Sequence, residues 1–349
     1  MNTGGCPRAQ RSARGSLSVR HYGLLLLLVA TGTKMAAQEP PAYLPGRRVL
    51  LDAHNAYPEQ GLWSDRIDRA LATGVPLAIE QDLAWLCEPA ASCRSVLRHE
   101  PPFTGNEPTL REYFFTRIRP IVERALAAGD RRDWPIITLN LDFKSDEPEH
   151  HAAVWALLGE HEPWLTTAPR TERVDDVAAL DVRPVLVLTG AADAQEVAFH
   201  DRVPVGGRLR VFGATVPELI GGDSNAAAGA PPADVLPGRR TNYRRWSNHP
   251  WSVVEAGGPS EAGEWTMEDA ARLSALVGRA HDAGLWIRFY TLNGLGPAEL
   301  SLGWTASYNF GSREAAELRW RAAIKAGVDF VTTDQYEAFA AARAAMLSP

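Results

Sequence analysis

Three apolar runs of this sequence end in, or enclose, residues able to do chemistry. His54 and Asn55 close RRVLLDAHN, Glu80 and Asp82 stand two apart in PLAIEQDLAW, and Asp142 and Lys144 stand two apart in WPIITLNLDFK, with His99 in the segment RHE between the second and third. Read as strands, these runs place Glu80 and Asp82 on one face, and Asn140, Asp142 and Lys144 on one face, because strand side chains alternate. Three carboxylates brought together form an all-oxygen environment that suits one hard divalent cation, Mg²⁺ or Ca²⁺, and would repel one another without it. Two imidazoles titrating near neutrality can take a proton from an attacking hydroxyl and return one to a leaving oxygen. Lys144 can neutralise charge on phosphoryl oxygens. The set His54, Glu80, Asp82, His99, Asp142 and Lys144 therefore predicts phosphodiester cleavage at one site. An isolated acidic residue at a strand end more often caps a helix or pairs with an arginine. The recurrence on neighbouring runs favours a site. The His150-His151 pair on an apparent helix is read as structural, and His249 as a borderline candidate.

Something must hold those run ends side by side. Strand-like runs alternate with helix-like ones: Arg47 to Asn55 is followed by Leu62 to Gly74, Pro76 to Trp85 by Thr109 to Gly129, and Trp134 to Lys144 by Glu147 to His161. Further apolar runs lie at Arg183 to Gly190, Arg208 to Thr215, Leu285 to Asn293 and Val328 to Asp334, and a weaker one at Trp251 to Gly257 completes eight. Near-continuous apolar strands separated by helices predict a parallel sheet covered on its outer face. Eight repeats in this length predict a closed (β/α)₈ TIM barrel, whose active site lies at the C-terminal ends of its strands. No linker divides the chain, so residues 38–349 are expected to form one domain. The Gly-, Ala- and Pro-rich stretch Gly221 to Pro237 is expected to be a long surface loop, either a lid over the active face or an inert insertion.

Composition bounds the partners. The 349 residues are 45% hydrophobic and 22% charged, which is ordinary globular usage. Residues 1–37 combine four arginines, an apolar core at Gly23 to Ala30 and small residues near Ala37, the pattern of a cleaved signal peptide too short to span a bilayer. Export, to the outside or a periplasm, is the expectation. That segment carries five basic and no acidic residues, so its loss takes the formal charge from −6 to −11. So acidic a chain offers nucleic acid no electrostatic footing, and stable membrane insertion is not expected. Cys87 and Cys93 remain as a pair, expected to form a short-loop disulfide in an oxidising compartment.

At AHN, IEQD, RHE, LNLDFK, YTLN and DFVTTD the sequence resembles the PLC-like phosphodiesterase superfamily, which includes glycerophosphodiester phosphodiesterases, phosphatidylinositol-specific phospholipases C and sphingomyelinases D. The resemblance runs in order from Leu50 to about Asp334. It implies a TIM barrel in which His54 and His99 are the acid/base pair, Glu80, Asp82 and Asp142 bind the metal, Lys144 contacts phosphate, Asn55 assists beside His54, and Tyr290 lines the substrate site. The Asp142-x-Lys144 pair is similar to the sphingomyelinases D. The His54-Asn55-x-Tyr57 opening is similar to an uncharacterised branch that includes the fungal altered-inheritance-of-mitochondria proteins. The implied substrate is a small-molecule or lipid phosphodiester.

Two other readings carry their own signals. A barrel that binds a headgroup or carbohydrate without turnover would use aromatic residues such as Trp246, Trp251 and Trp304. Glycoside hydrolysis would use paired carboxylates at strand ends, but two histidines and a lysine beside three acids suit phosphate better.

Overall fold

In the computed structural model the chain divides into two units, Met1–Glu39 and Pro40–Pro349. The structure describes residues 41–347 apart from 60–62, 89–91, 216–223 and 301–307, so the expected signal peptide lies outside the described residues. Eight parallel strands close into a barrel: β1 Leu50–Ala53, β2 Leu77–Leu86, β3 Ile137–Phe143, β4 Val185–Thr189, β5 Phe212–Ala214, β6 Arg244–Pro250, β7 Trp286–Tyr290 and β8 Phe330–Thr333. They pair in the order 1-8-7-6-5-4-3-2, and β1 returns to β2 to complete the ring. The fold is a (β/α)₈ TIM barrel.

The closure follows from strand alternation. Odd-numbered residues such as Leu51, Ile79, Leu139, Val187, Phe289 and Val331 join Ile67, Val122, Val154, Leu276 and Trp320 of the helices in one apolar layer. Even-numbered Leu50, Ala78, Leu186, Leu188, Phe212, Trp246, Trp286 and Phe330 form a second cluster inside the barrel. Truncating a buried Trp such as Trp246 would cost about 3–5 kcal/mol. The same even-numbered register, continued toward the C-terminal ends, brings Asp52, Glu80, Asp82, Asn140, Asp142, Asn248 and Arg288 into the barrel mouth, with Glu80 opposite Asn140, Asp82 opposite Asp142 and Arg288 opposite Asn248.

The outer layer is built of α1 Arg66–Ala72, α2 Thr116–Ala128, α3 Pro148–Glu160, α4 Asp193–Glu196, α5 Met267–Asp282, α6 Arg313–Ala326 and α7 Tyr336–Leu347. Local signals set their ends: Thr266 and Asp269 form a capping box at the start of α5, and Gly129 ends α2 in the left-handed conformation, φ +68°. Among the described residues no helix is long and apolar enough to cross a membrane.

Two expectations are corrected. The strand that completes the eight is β6, Arg244–Pro250, not Trp251 to Gly257, where Trp251–Val253 forms a 3₁₀ turn. Trp251 and Val253 are apolar because that turn is packed into the outer layer. The stretch Gly221 to Pro237 is not a plain loop: beyond the undescribed part it forms two short helices, Ser224–Gly229 and Pro232–Val235, tied to α5 by Arg272, which donates to the carbonyl of Ala227 at 2.7 Å. None of its described residues lines the mouth.

Candidate active site

At the mouth a cavity of about 580 Å³ is lined by His54, Asn55, Glu80, His99, Asp142, Lys144 and Tyr290, together with Glu59, Trp63, Glu100, Asn248, Arg288 and Tyr308. Asp82 lies beneath it, fully buried. All eight residues singled out from the sequence therefore gather at one place.

His54 follows β1 and is fixed from both ends of the chain. Its Nδ1 lies 2.9 Å from Asp334 Oδ1, just past β8, and its carbonyl accepts hydrogen bonds from Arg66 Nη2 at 2.8 Å and Tyr336 Oη at 2.5 Å. Nε2 is thereby turned toward Glu80, 3.6 Å from Oε2. Asp334 is itself held by Arg66 at 2.6 Å and by Asn293 at 2.5 Å. Although burial opposes it, the charges of His54 and Arg66 keep the Asp334 carboxyl at about 2. Burial also works against a charged His54, but Asp334 and Glu80 outweigh it and raise its pKa. Asn55 adopts φ +46°, a left-handed turn that asparagine tolerates, and the next residue donates back to the Glu80 carbonyl at 3.2 Å.

His99 reaches the same cavity by another route. After β2 the chain doubles back as the antiparallel segment Arg94–Leu97, and Arg98 N donates to the Asp82 carbonyl at 3.1 Å. Cys87 and Cys93 close this hairpin with a disulfide, S–S 2.04 Å, as expected. The His99 ring has no hydrogen-bond partner among the described residues, and partial burial together with the nearby Lys144 ammonium lowers its pKa. The two imidazoles are pulled in opposite directions, the pattern of an acid and a base sharing a site.

Glu80, Asp82 and Asp142 each present an oxygen within 4.8 Å of the others. Lys144 Nζ lies 2.7 Å from Asp142 Oδ2 and 3.2 Å from Asp82 Oδ2, and Tyr57 Oη donates to Asp82 Oδ2 at 2.8 Å. Arg288 donates to Glu80 Oε1 at 2.9 Å, to Asn248 Oδ1 at 3.1 Å and, closely, to Asp52. Four carboxylates, those of Asp52, Glu80, Asp82 and Asp142, thus face two fixed cations, Arg288 and Lys144. That excess of acid over fixed base is one a bound cation would offset. Two further observations agree: Glu80 Oε2 and Asp82 Oδ1 are buried without a hydrogen-bond partner, and burial with the adjacent Asp142 pushes the Asp82 carboxyl up to about 7. The donor set fits a hard cation.

Reading the sequence alone missed Asp52, Arg288, Asp334, Trp63, Asn248 and Tyr308. The first two share the even-numbered register of the chosen residues, and Asp334 closes DFVTTD as His54 closes its own run. His249 points outward, buried, with Nε2 2.7 Å from Ser247 Oγ, and has no part in the mouth. His150 is structural, its Nε2 2.8 Å from Ser95 Oγ and its ring stacked on Trp85. Trp246 and Trp251, offered above as carbohydrate contacts, are buried and donate to Thr189 O and Glu255 Oε2, while Trp304 lies outside the described residues.

Because Arg288 is buried between two carboxylates, replacing it with Met leaves Asp52 and Glu80 unpaired. The expected loss is about 3–5 kcal/mol in urea unfolding at pH 7 in EDTA. Unchanged stability would mean that Arg288 does not hold the two acids.

No family model matches this sequence, and no curated protein matches it. Among solved structures, a glycerophosphoryl diester phosphodiesterase from Parabacteroides distasonis ATCC 8503 is similar over 89% of this chain and 90% of its own, at 14% identity and TM-score 0.40. Dihydropteroate synthase from Burkholderia cenocepacia, complexed with 7,8-dihydropteroate, is similar over 87% of this chain and 96% of its own, at 16% identity and TM-score 0.37. Likenesses this distant say nothing of the reaction, which has to be read from the mouth itself.

Proposed function

We propose that the barrel mouth cleaves a phosphodiester, that of a glycerophosphodiester or a (lyso)phospholipid, as an enzyme exported after loss of residues 1–37. The observation that carries this reading is the convergence of His54, His99 and Lys144 with the Glu80, Asp82 and Asp142 carboxylates around one cavity. Lys144 places a fixed positive charge where phosphoryl oxygens gather charge in the transition state. One imidazole accepts the proton of the attacking hydroxyl, from water or from the substrate itself, and the other protonates the departing oxygen. Asp334 holds a proton on His54 Nδ1 and leaves Nε2 free to act toward the cavity. A divalent ion, Mg²⁺ or Ca²⁺, held by Glu80, Asp82 and Asp142 would supply Lewis-acid stabilisation of the phosphoryl oxygens. Asn55 and Tyr290 line the cavity and are proposed to contact the substrate. The disulfide beside His99 supports export. The reading of a non-catalytic carbohydrate binder loses its main support with the burial of Trp246 and Trp251.

The test is an assay of residues 38–349 against bis-p-nitrophenyl phosphate, glycerophosphodiesters, lysophospholipids, a phosphomonoester and an aryl glycoside, with Mg²⁺ or Ca²⁺ added. Turnover confined to the diesters is expected. Inactivity on every diester, or cleavage of the glycoside alone, would discard the proposal.

A further inference from the structure

A second cavity lies on the outer surface of the barrel, between α3 and the helical turn Val197–Asp201 with the segment that follows it. It measures about 320 Å³, in the range of sites for small organic ligands, and shares no residue with the mouth. Its floor is apolar, made of Ala152, Trp155, Ala198 and Val203, with His151 among the lining residues. His151 is 1% exposed, and neither of its ring nitrogens has a hydrogen-bond partner. The nearest acid, Asp146, stands 3.4 Å from Nε2. Leaving a buried polar group unsatisfied is unfavourable, so this floor favours an occupant able to hydrogen-bond it.

The rim is basic. Arg202, Arg208 and Arg210 stand around the floor, and Arg210 lies over the Trp155 ring, its Cζ 4.4 Å from the centroid. One carboxylate serves this group: Glu162 accepts from Arg210 Nε at 2.6 Å and lies 3.6 Å from Arg208. The exposed Arg202 guanidinium has no ion pair among the described residues. On a chain of net charge −6, such a local excess of positive charge over an apolar floor is a selective feature.

We propose that this groove binds a small amphiphilic anion, a carboxylate or phosphate monoester carried on an apolar body. The apolar part lies against Ala152, Ala198 and Val203 beside Trp155, and the anionic head pairs with Arg202 and the incompletely neutralised Arg208 and Arg210. The chemistry is shared by aromatic acids and by acyl chains, and the experiment separates them.

Titration calorimetry on the full chain with 2-naphthoate, decanoate and inorganic phosphate tests the assignment. One-to-one binding of an organic anion with Kd below about 1 mM is expected. Tighter naphthoate assigns the groove to aromatic acids, and tighter decanoate to acyl chains. Ala152 and Arg202 are both exposed, so Ala152→Trp, which fills the groove, and Arg202→Glu, which reverses the rim charge, leave the fold intact. The first is expected to abolish binding and the second to weaken it at least tenfold, with phosphodiester turnover unchanged in both. Absence of saturable binding by either organic anion overturns the proposal. So does binding indifferent to both substitutions, or inorganic phosphate binding as tightly as the organic probes.

Discussion

His54→Ala is expected to lower phosphodiester turnover about 10³-fold while leaving KM within a few-fold, because it removes a proton-transfer group that acts in the transition state. The imidazole is positioned by elements far apart in the chain: Asp334 after β8 fixes Nδ1, and Arg66 of α1 with Tyr336 of α7 fixes the main chain behind it. The imidazole lines a cavity and is no part of the apolar core, so the alanine variant should keep a cooperative unfolding transition. Asp334→Asn separates the two roles. It removes the acceptor that keeps the proton on Nδ1, so turnover falls, but it also takes the buried carboxylate away from Arg66, so stability falls with it. The sign of the pH dependence is determined. With its carboxyl held at about 2, Asp334 contributes stability that is fully present above the ordinary carboxylate pKa near 4 and is lost as pH falls toward 2. The gap between wild type and Asp334→Asn in urea unfolding should therefore be wide at pH 7 and close in acid. Turnover by His54→Ala close to that of wild type would end the acid/base assignment.

Chelation is expected to abolish turnover, and Asp82→Asn to reduce it about 10²–10³-fold at saturating substrate even with excess Mg²⁺ or Ca²⁺, an effect of the size seen when one electrostatic contact to a transition state is removed. Asp82 is the most buried of the three carboxylates. Burial and the neighbouring Asp142 push its pKa up to about 7. In EDTA, the stability tied to its protonated form is fully present below pH 4 and disappears as pH rises through about 7. Wild type in EDTA should thus lose stability across that window, Asp82→Asn should lose much less, and the divalent ion should restore the wild type near pH 7. Turnover that persists in EDTA, or an Asp82→Asn variant that responds to the ion as wild type does, would remove the metal from the site.

Much of this was legible along the chain. Short apolar runs spaced by amphipathic ones announced a covered parallel sheet, and seven of the strands lie where those runs are. The pairs Glu80/Asp82 and Asp142/Lys144 were legible because alternation makes neighbours of residues two apart, and the register opposes Asp82 to Asp142. The sixth strand was not legible. It carries Arg244, Arg245, Ser247, Asn248 and His249 in seven residues, and only the barrel around it makes RRWSNHP a strand. The apolar WSVV beside it carried the stronger pattern and forms a turn.

By itself the sequence determined which residues could do chemistry and on which face of its strand each would stand, since both depend on residue type and a period of two. Only the tertiary structure decided how their charges are met. Arg288 reaches Asp52 across 236 positions and Asp334 reaches His54 across 280, pairings that exist because the barrel closes its last strand against its first. From them follow the pairing of carboxylates with fixed cations at the mouth and the orientation of His54.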